Sequence, residues 1–197
     1  MNKIYEELTI VTVLYDSSEL VYDLLRNLVN FKVIVVDNGN NEKVLKKLPN
    51  LKNIKIITKK KNLGYGRAIN FAFENIKSKY FFVLNPDLII SEKSIYNLYT
   101  LITKNPDAGI VAPITKPDED FYGSFPEKNT KKKIGPNEIK CQNLLKDSKI
   151  EGEICVEVAK GCALLLNSDY FKKIGKFDER YFLFWEEVDL CRRFRSM

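Results

Sequence analysis

The first candidate for a functional residue is Asp87, because of its position in the sequence. It ends the tripeptide Asn85-Pro86-Asp87, which follows the apolar run 80–84. Five apolar residues in a row predict a strand buried on both faces, and Pro86 cannot donate to a hydrogen-bond ladder, so the strand should end there. Asp87 is then expected at the carboxyl end of a central strand, where open α/β sheets bind ligands, and could hold a hard cation against a phosphate. The alternative is a turn in which Asp87 caps the following helix, and the tripeptide alone favours neither.

A tight acidic cluster, Glu186, Glu187 and Asp189, is the second candidate, and it follows the aromatic stretch 181–185. Adjacent carboxylates raise one another's pKa, and an aromatic neighbour that excludes water acts in the same direction. A carboxylate tuned in this way can act as a general base that deprotonates a hydroxyl group. The alternative is that these charges only stabilise the first turn of a helix.

A third candidate is the loop from Asn62 to Arg67, where Gly64 and Gly66 would let backbone N–H groups approach a phosphate. The loop is not a dinucleotide fingerprint, because Ile69 occupies the third glycine position and the loop follows the third strand. It is not a P-loop either, because no Gly-Lys-Ser/Thr follows. Taken alone, the loop is better explained as a glycine turn before a helix.

The absence of histidine from all 197 residues narrows the chemistry. It excludes histidine triads, histidine bases and histidine–metal sites, so acid–base work must use Asp, Glu, Lys, Tyr or Cys. Any metal would be held mainly by oxygen, which favours magnesium, manganese or calcium over zinc. The net charge of +6 includes lysine runs at 59–61 and 131–133, but no motif that reads nucleic acid accompanies them. We therefore expect no nucleic-acid partner.

Cysteine usage and hydropathy predict a cytosolic protein. The four cysteines show no Cys-x-x-Cys spacing and no signal peptide leads the chain, so reduced thiols are expected. No apolar run reaches the length of a transmembrane helix.

These candidates would be positioned by strands that alternate with helices. Apolar runs predict four strands, at 8–14, 32–36, 54–58 and 80–84. Helical spacing predicts three intervening helices, at 19–30, 42–48 and 67–77. This alternation implies right-handed βαβ units and a largely parallel sheet, whose carboxyl-end loops would gather the polar residues. Farther along, a helix from Ser91, strands at 108–113 and 156–167 and a helix from Glu186 are expected.

Taken in order, these segments resemble the family 2 glycosyltransferases of the GT-A fold, in particular their rhamnosyltransferase-like branch. The matching blocks are 9–15, Val35-Val36-Asp37-Asn38, Asn62-x-Gly64-x-Gly66-x-Ala68-x-Asn70, Leu84-Asn85-Pro86-Asp87, 161–165 and the stretch from Gly175 to Arg193. The resemblance implies an α/β, GT-A (nucleotide-diphospho-sugar transferase) fold, with a single Rossmann-like, mostly parallel sheet flanked by helices and a short C-terminus. It implies one domain, 1–197, with a nucleotide-sugar-binding half (1–113), a variable loop region (114–155) and an acceptor-side half (156–197) that looks truncated.

The resemblance also implies roles for individual residues on the donor side. Asp37 would bind the base of the nucleotide sugar, flanked by Thr12, Leu14 and Tyr15. Three residues of the glycine loop, Asn62, Gly64 and Arg67, would lie along the ribose or diphosphate.

The metal and the base are implied in the same way. Asn85-Pro86-Asp87 would replace the D-x-D motif of the family, so that Asp87 coordinates Mg²⁺ or Mn²⁺ and Asn85 contributes its amide oxygen. Glu187 would be the catalytic base, with Glu186 as the alternative, although the family more often has Asp at position 187. Gly161 and Cys162 would line the acceptor side.

The function that follows from the resemblance is an inverting, metal-dependent glycosyl transfer. The donor would be a dTDP- or UDP-sugar, and the acceptor a saccharide or lipid-linked saccharide used for cell-surface polysaccharide. The enzyme would work in the cytoplasm, or at the inner face of the cell membrane as a peripheral protein. Two alternatives stay open: a nucleotide-sugar-binding module that needs a partner or a further C-terminal segment, and a nucleotidyltransferase, although the first loop lacks the expected glycines and arginines.

Overall fold

Eight strands and seven helices lie within the part of the chain that the computed structural model describes, residues 2–17, 19–39, 41–48, 52–114, 125–126 and 155–197. The strands are β1 (Leu8–Leu14), β2 (Lys32–Asp37), β3 (Ile54–Thr58), β4 (Tyr80–Leu84), β5 (Ile110–Val111), β6 (Phe125–Pro126), β7 (Val156–Val158) and β8 (Ala163–Asn167). The helices are α1 (Asn2–Glu7), α2 (Val21–Arg26), α3 (Glu42–Leu45), α4 (Tyr65–Phe73), α5 (Glu92–Lys104), α6 (Ser168–Lys173) and α7 (Glu186–Arg195).

Six strands form one mixed sheet in the order β3-β2-β1-β4-β8-β5. The first four strands along the chain are parallel, and β1 lies between β2 and β4. β8 runs antiparallel to both of its neighbours, β4 and β5. β6 and β7 pair separately. The predicted sheet, mostly parallel and flanked by helices, is confirmed, with β8 as its reversed strand.

Alternate residues of the central strands face two separate cores. Along β4, Tyr80, Phe82 and Leu84 belong to one core, whereas Phe81 and Val83 belong to the other. Helices α2 and α5 contribute to the first core, and α4, α6 and α7 to the second. Because both faces are covered, the central strands are continuous apolar runs rather than alternating ones.

Element boundaries differ from the sequence pattern where tertiary contacts decide them. The predicted strand 156–167 is interrupted between Val158 and Ala163 by a turn. The turn contains Lys160 and Gly161, but apolar residues on both sides of it favoured a single strand. Helix α1 was not predicted, and most of the region 114–155 lies outside the described residues. No helix in the described ranges combines the length and the apolar character needed to cross a membrane.

Candidate functional site

Four loops meet at the carboxyl edge of the parallel strands, as the alternating pattern predicted. The turn before β8 joins them, because β8 is antiparallel and its Ala163 pairs with Leu84 at the end of β4. The backbone N–H of Asn85 donates to the carbonyl of Cys162 across this boundary, at 2.9 Å. The site is therefore built from both halves of the chain.

Asn41 connects the loops after β1 and β2. Its buried Nδ2 donates to the carbonyl of Leu14 and to Oδ1 of Asp37, both at 2.8 Å. Its Oδ1 accepts from the backbone N–H of Ser17 at 3.1 Å. Asp37 is 7% exposed and also accepts from the N–H of Gly39 at 3.2 Å, so its carboxylate is held in one orientation. Sequence analysis missed Asn41 because an asparagine in a turn-rich stretch gives no sign of a buried partner.

The three residues expected to flank the base lie in different environments. Thr12 and Leu14 are completely buried, and the hydroxyl of Thr12 has no hydrogen-bond partner among the described residues. Tyr15 is 53% exposed. Of the three, only the side chain of Tyr15 is open to a ligand at this edge as the structure stands.

Asn38 and Asn62 connect the loops after β2 and β3. Nδ2 of Asn38 donates to Oδ1 of Asn62 at 2.9 Å, and its Oδ1 accepts from the N–H of Leu63 at 2.9 Å. Oδ1 of Asn62 accepts a second bond, from the N–H of Gly64, at 2.9 Å. The amide oxygen of Asn62 therefore shapes its own loop. We call the loops joined by Asn38, Asn41 and Asn62 the asparagine-linked loops.

Gly64 lies where the backbone of the aromatic stretch approaches α4. It adopts φ +81°, and a Cβ atom there would lie 2.1 Å from the carbonyl oxygen of Phe182. That oxygen accepts the backbone N–H of Tyr65 at 3.1 Å. The close approach thus requires glycine, and the N–H that follows it bonds to the protein itself.

Arg67 and Asn70 hold the segment that precedes the aromatic stretch. Nε of Arg67 donates to the carbonyl of Glu179 at 2.6 Å, and its guanidinium is about half exposed. The buried Asn70 exchanges hydrogen bonds with the backbone of Phe177, at 2.9 and 3.1 Å. The structure therefore places Arg67 on this segment, and its expected contact with the donor stays a prediction.

Asp87 is exposed at the carboxyl end of β4, next to the half-buried Asn85. It does not cap α5, because the hydroxyl of Ser91 performs that role by accepting from the N–H of Ser94 at 3.1 Å. The helix-cap alternative for Asp87 is therefore wrong. Within the described ranges, no group of three or more His, Cys, Asp or Glu side chains could hold a metal by itself.

The three acids of α7 have different surroundings. Glu186 is 4% exposed, and its Oε2 has no hydrogen-bond partner among the described residues. Burial raises the pKa of Glu186, and the charge of Glu187 acts in the same direction. Asp189 forms an ion pair with Arg193, at 2.6 Å. Glu187 is half-buried and packs against Gly161, where a Cβ atom would lie 3.4 Å from its Cβ and Cγ.

Tyr65 links the loop that contains Asn85 to Gly161, and so connects the two halves of the site. Its hydroxyl oxygen lies 3.1 Å from Oδ1 of Asn85 and 2.8 Å from the carbonyl oxygen of Gly161, the residue that Glu187 covers. Burial raises the pKa of Tyr65, and the nearby carboxylates, Glu186, Glu187 and Asp87, act in the same direction. Tyr65 was not predicted as a site residue, although its position between two glycines at the start of a helix is evident in the sequence.

The aromatic stretch ends in two residues with left-handed backbone. Phe184 has φ 65° and Trp185 has φ 71°, and their side chains are 70% and 67% exposed. This conformation is strained for bulky residues and is found where surrounding structure imposes it, often at functional sites. We call Gly161 together with residues 181–187 the acid-pair region.

The sequence matches the family model described as Glycosyl transferase family 2 over residues 9–171. It is similar to the low-salt glycan biosynthesis hexosyltransferase Agl10 of Haloferax volcanii, with 26% identity over 199 residues, 96% of this chain and 62% of Agl10. It is also similar to the N-acetylglucosaminyl-diphospho-decaprenol L-rhamnosyltransferase of Mycobacterium tuberculosis, with 26% identity over 186 residues, 82% of this chain and 60% of that protein. The chain thus spans about three fifths of the length of these curated relatives.

The fold is shared with solved glycosyltransferases. The structure of GalNAc-T7 with UDP, GalNAc and Mn²⁺ superposes with a TM-score of 0.69 at 15% identity, over 96% of this chain and 40% of that one. A likeness at this identity concerns the fold alone, and it confirms the predicted GT-A class.

Proposed function

Because the chain belongs to glycosyl transferase family 2, as its motifs predicted, we propose that it transfers a hexose from a nucleoside-diphosphate donor to an acceptor hydroxyl. The observation that supports this most is that the hydroxyl of Tyr65 lies within hydrogen-bond distance of Asn85, two residues before Asp87, and of Gly161, against which Glu187 packs. Glycosyl transfer needs one group that holds the diphosphate and one that accepts the proton of the acceptor hydroxyl, both close to the anomeric carbon of the sugar. Asp87 and Glu187 would provide these two groups.

A divalent cation fits beside Asp87. Mg²⁺ and Mn²⁺ sites in phosphate-binding enzymes use one or two carboxylates and take further oxygen ligands from water and from the substrate. The exposed carboxylate of Asp87 and the amide of Asn85 match that requirement. When bound, Mg²⁺ or Mn²⁺ would neutralise the charge that develops on the leaving diphosphate. The Mn²⁺ of GalNAc-T7 supports this assignment by analogy.

Glu187 is the proposed general base. It is half-buried beside Gly161 and so has access to an acceptor, whereas Glu186 is only 4% exposed. Glu187 would accept the proton of the acceptor hydroxyl as that oxygen attacks the anomeric carbon. Attack opposite to the leaving diphosphate inverts the configuration of that carbon.

The donor is assigned by chemistry and by relatives. The fixed carboxylate of Asp37 and the exposed ring of Tyr15 suit a nucleotide base, which can donate a hydrogen bond and stack on a ring. We propose dTDP-rhamnose first and UDP-sugars second, with a saccharide or lipid-linked saccharide acceptor for cell-surface polysaccharide. The relative named for rhamnosyl transfer to N-acetylglucosaminyl-diphospho-decaprenol supports this choice. Such an acceptor would place the protein in the cytoplasm or at the inner face of the cell membrane.

The test is release of dTDP or UDP in the presence of Mn²⁺, with dTDP-rhamnose or a UDP-sugar and an N-acetylglucosaminyl-diphospholipid. Glu187→Gln should lower the rate by about 10²-fold or more, because loss of a general base costs at least that much. Glu42→Gln, which changes an exposed side chain of α3, should retain the wild-type rate. Equal turnover by Glu187→Gln and the wild type would refute the base assignment.

The second candidate is a unit that binds a nucleotide sugar without turning it over. It stays open because the chain spans about three fifths of its curated relatives, so the activity of a whole relative cannot be assigned to it directly. Calorimetric binding of UDP or dTDP that requires Mn²⁺, without release of nucleotide on any acceptor, would favour this candidate. Absence of any nucleotide binding would contradict both.

A further inference from the structure

The hydroxyl of Tyr65 has a single proton to donate but lies close to two oxygen atoms. Its Oη lies 2.8 Å from the carbonyl oxygen of Gly161 and 3.1 Å from Oδ1 of Asn85. A phenol has one O–H to donate, and a backbone carbonyl can only accept. The shorter bond, to Gly161, therefore takes the proton, and Oη is left as an acceptor that faces Asn85.

If the side-chain amide of Asn85 is rotated by half a turn, the Tyr65 hydroxyl, the Gly161 carbonyl and the Asn85 amide can all form hydrogen bonds. This rotation exchanges Oδ1 and Nδ2 with little change of shape. Nδ2 then donates to Oη of Tyr65, and the amide oxygen faces the opposite way. The backbone stays in place, because the N–H of Asn85 is bonded to Cys162 at 2.9 Å and its carbonyl accepts from Leu88 at 3.2 Å.

We propose that Tyr65 is a positioning residue that selects which end of the Asn85 amide is presented to the cation beside Asp87. Mg²⁺ and Mn²⁺ bind oxygen, and an amide nitrogen cannot replace it. The inference rests on the proposed function, since it assumes a cation at Asp87. It gives a reason why an asparagine can replace the first carboxylate of the D-x-D motif of the family.

Mn²⁺ binding provides the test, because it needs no turnover. The affinity is measured from the free Mn²⁺ signal in electron paramagnetic resonance, with the whole chain alone and with saturating UDP. Tyr65→Phe should weaken binding by about tenfold or more, the usual loss for groups that orient a metal ligand. In the Asn85→Asp background, the same substitution should change the affinity little, because a carboxylate presents oxygen at either end.

Tyr99→Phe is the matched control. It removes a hydroxyl that donates to Oε2 of Glu7 at 2.6 Å, next to the amino end of β1 and away from the site. It should leave Mn²⁺ affinity unchanged. An equal loss from Tyr65→Phe in the Asn85 and Asn85→Asp backgrounds would overturn the inference and leave the proposed function standing. Failure of the wild type to bind Mn²⁺ with or without UDP would overturn both.

A second test uses the wild type alone and therefore does not require any variant to fold. The side-chain NH₂ signal of Asn85, identified by resonance assignment of the wild type, should show a nuclear Overhauser effect to the ring protons of Tyr65. Its absence, with the signal present, would mean that the amide oxygen faces Tyr65, and the inference would fail.

Discussion

In the asparagine-linked loops, buried amides join three loops by hydrogen bonds in which both partners are satisfied. The acid-pair region instead contains a buried carboxyl oxygen that finds no partner among the described residues, and two bulky residues at positive φ. The first region is ordered by its own hydrogen bonds. The second is held in an unfavourable state by its surroundings. We interpret the first as a rigid recognition surface and the second as the place where stability is given up for chemistry, as happens at functional sites.

The largest effect is expected where the two regions touch, at Gly64. Gly64→Ala should lower stability by about 3 kcal/mol or more, since a Cβ atom would meet the Phe182 carbonyl oxygen at 2.1 Å and the residue has φ +81°. Thermal unfolding measures this. Gly175→Ala is the control, because Gly175 also has positive φ but, its chain neighbours apart, no atom of the described residues lies within 4 Å of its Cβ position, so about 1 kcal/mol is expected. Equal losses of stability from the two substitutions would mean that glycine is needed at position 64 only for its positive φ, and not for the close contact between the regions.

A smaller loss is expected from Asn41→Ala, within the asparagine-linked loops. The substitution removes one of two donors from the Leu14 carbonyl, which keeps the N–H of Asn38, and one of two from Asp37, which keeps the N–H of Gly39. The loss of these two hydrogen bonds should cost about 2 kcal/mol. It should also weaken nucleotide binding, since the carboxylate of Asp37 would then be held by one hydrogen bond instead of two. Denaturant unfolding and calorimetry with UDP or dTDP measure the two effects. Asn30→Ala, on an exposed side chain, should stay within about 0.5 kcal/mol. A neutral Asn41→Ala would contradict the rigid-surface interpretation.

The smallest effect concerns Glu186, and its sign is opposite. Burial raises the pKa of Glu186 above its unfolded value, so the folded state binds the proton more strongly. The associated stability is fully present below the unfolded pKa and is lost as the pH rises through the folded pKa. Glu186→Gln, which cannot ionise, should therefore raise the melting temperature at pH 8 relative to the wild type, and the difference should shrink toward pH 4. A variant that melts lower than the wild type at pH 8 would show that the charged form is stabilised.

Local pattern was enough for much of the fold. Runs such as Tyr80–Leu84, buried on both faces, identify central strands without knowledge of their neighbours, and Pro86 marks where the strand stops. The break between β7 and β8 was missed although Lys160 and Gly161 lie in it, because strand-forming residues stand on both sides of the turn. The direction of β8 was also not predicted, because it depends on where the chain returns to the sheet and not on the residues of the strand.

The sequence by itself determined the fold class, the edge at which polar residues gather, and Asp87 and Glu187 as candidates, because residue type and periodicity are local properties. Only the tertiary structure decided that Tyr65 stands between Asn85 and Gly161, that Gly64 makes room for Phe182, and that Glu186 rather than Glu187 is buried. The physical reason is that hydrogen bonds and burial at this site join residues up to about a hundred positions apart, such as Tyr65 and Gly161, and no local pattern records which partners will meet.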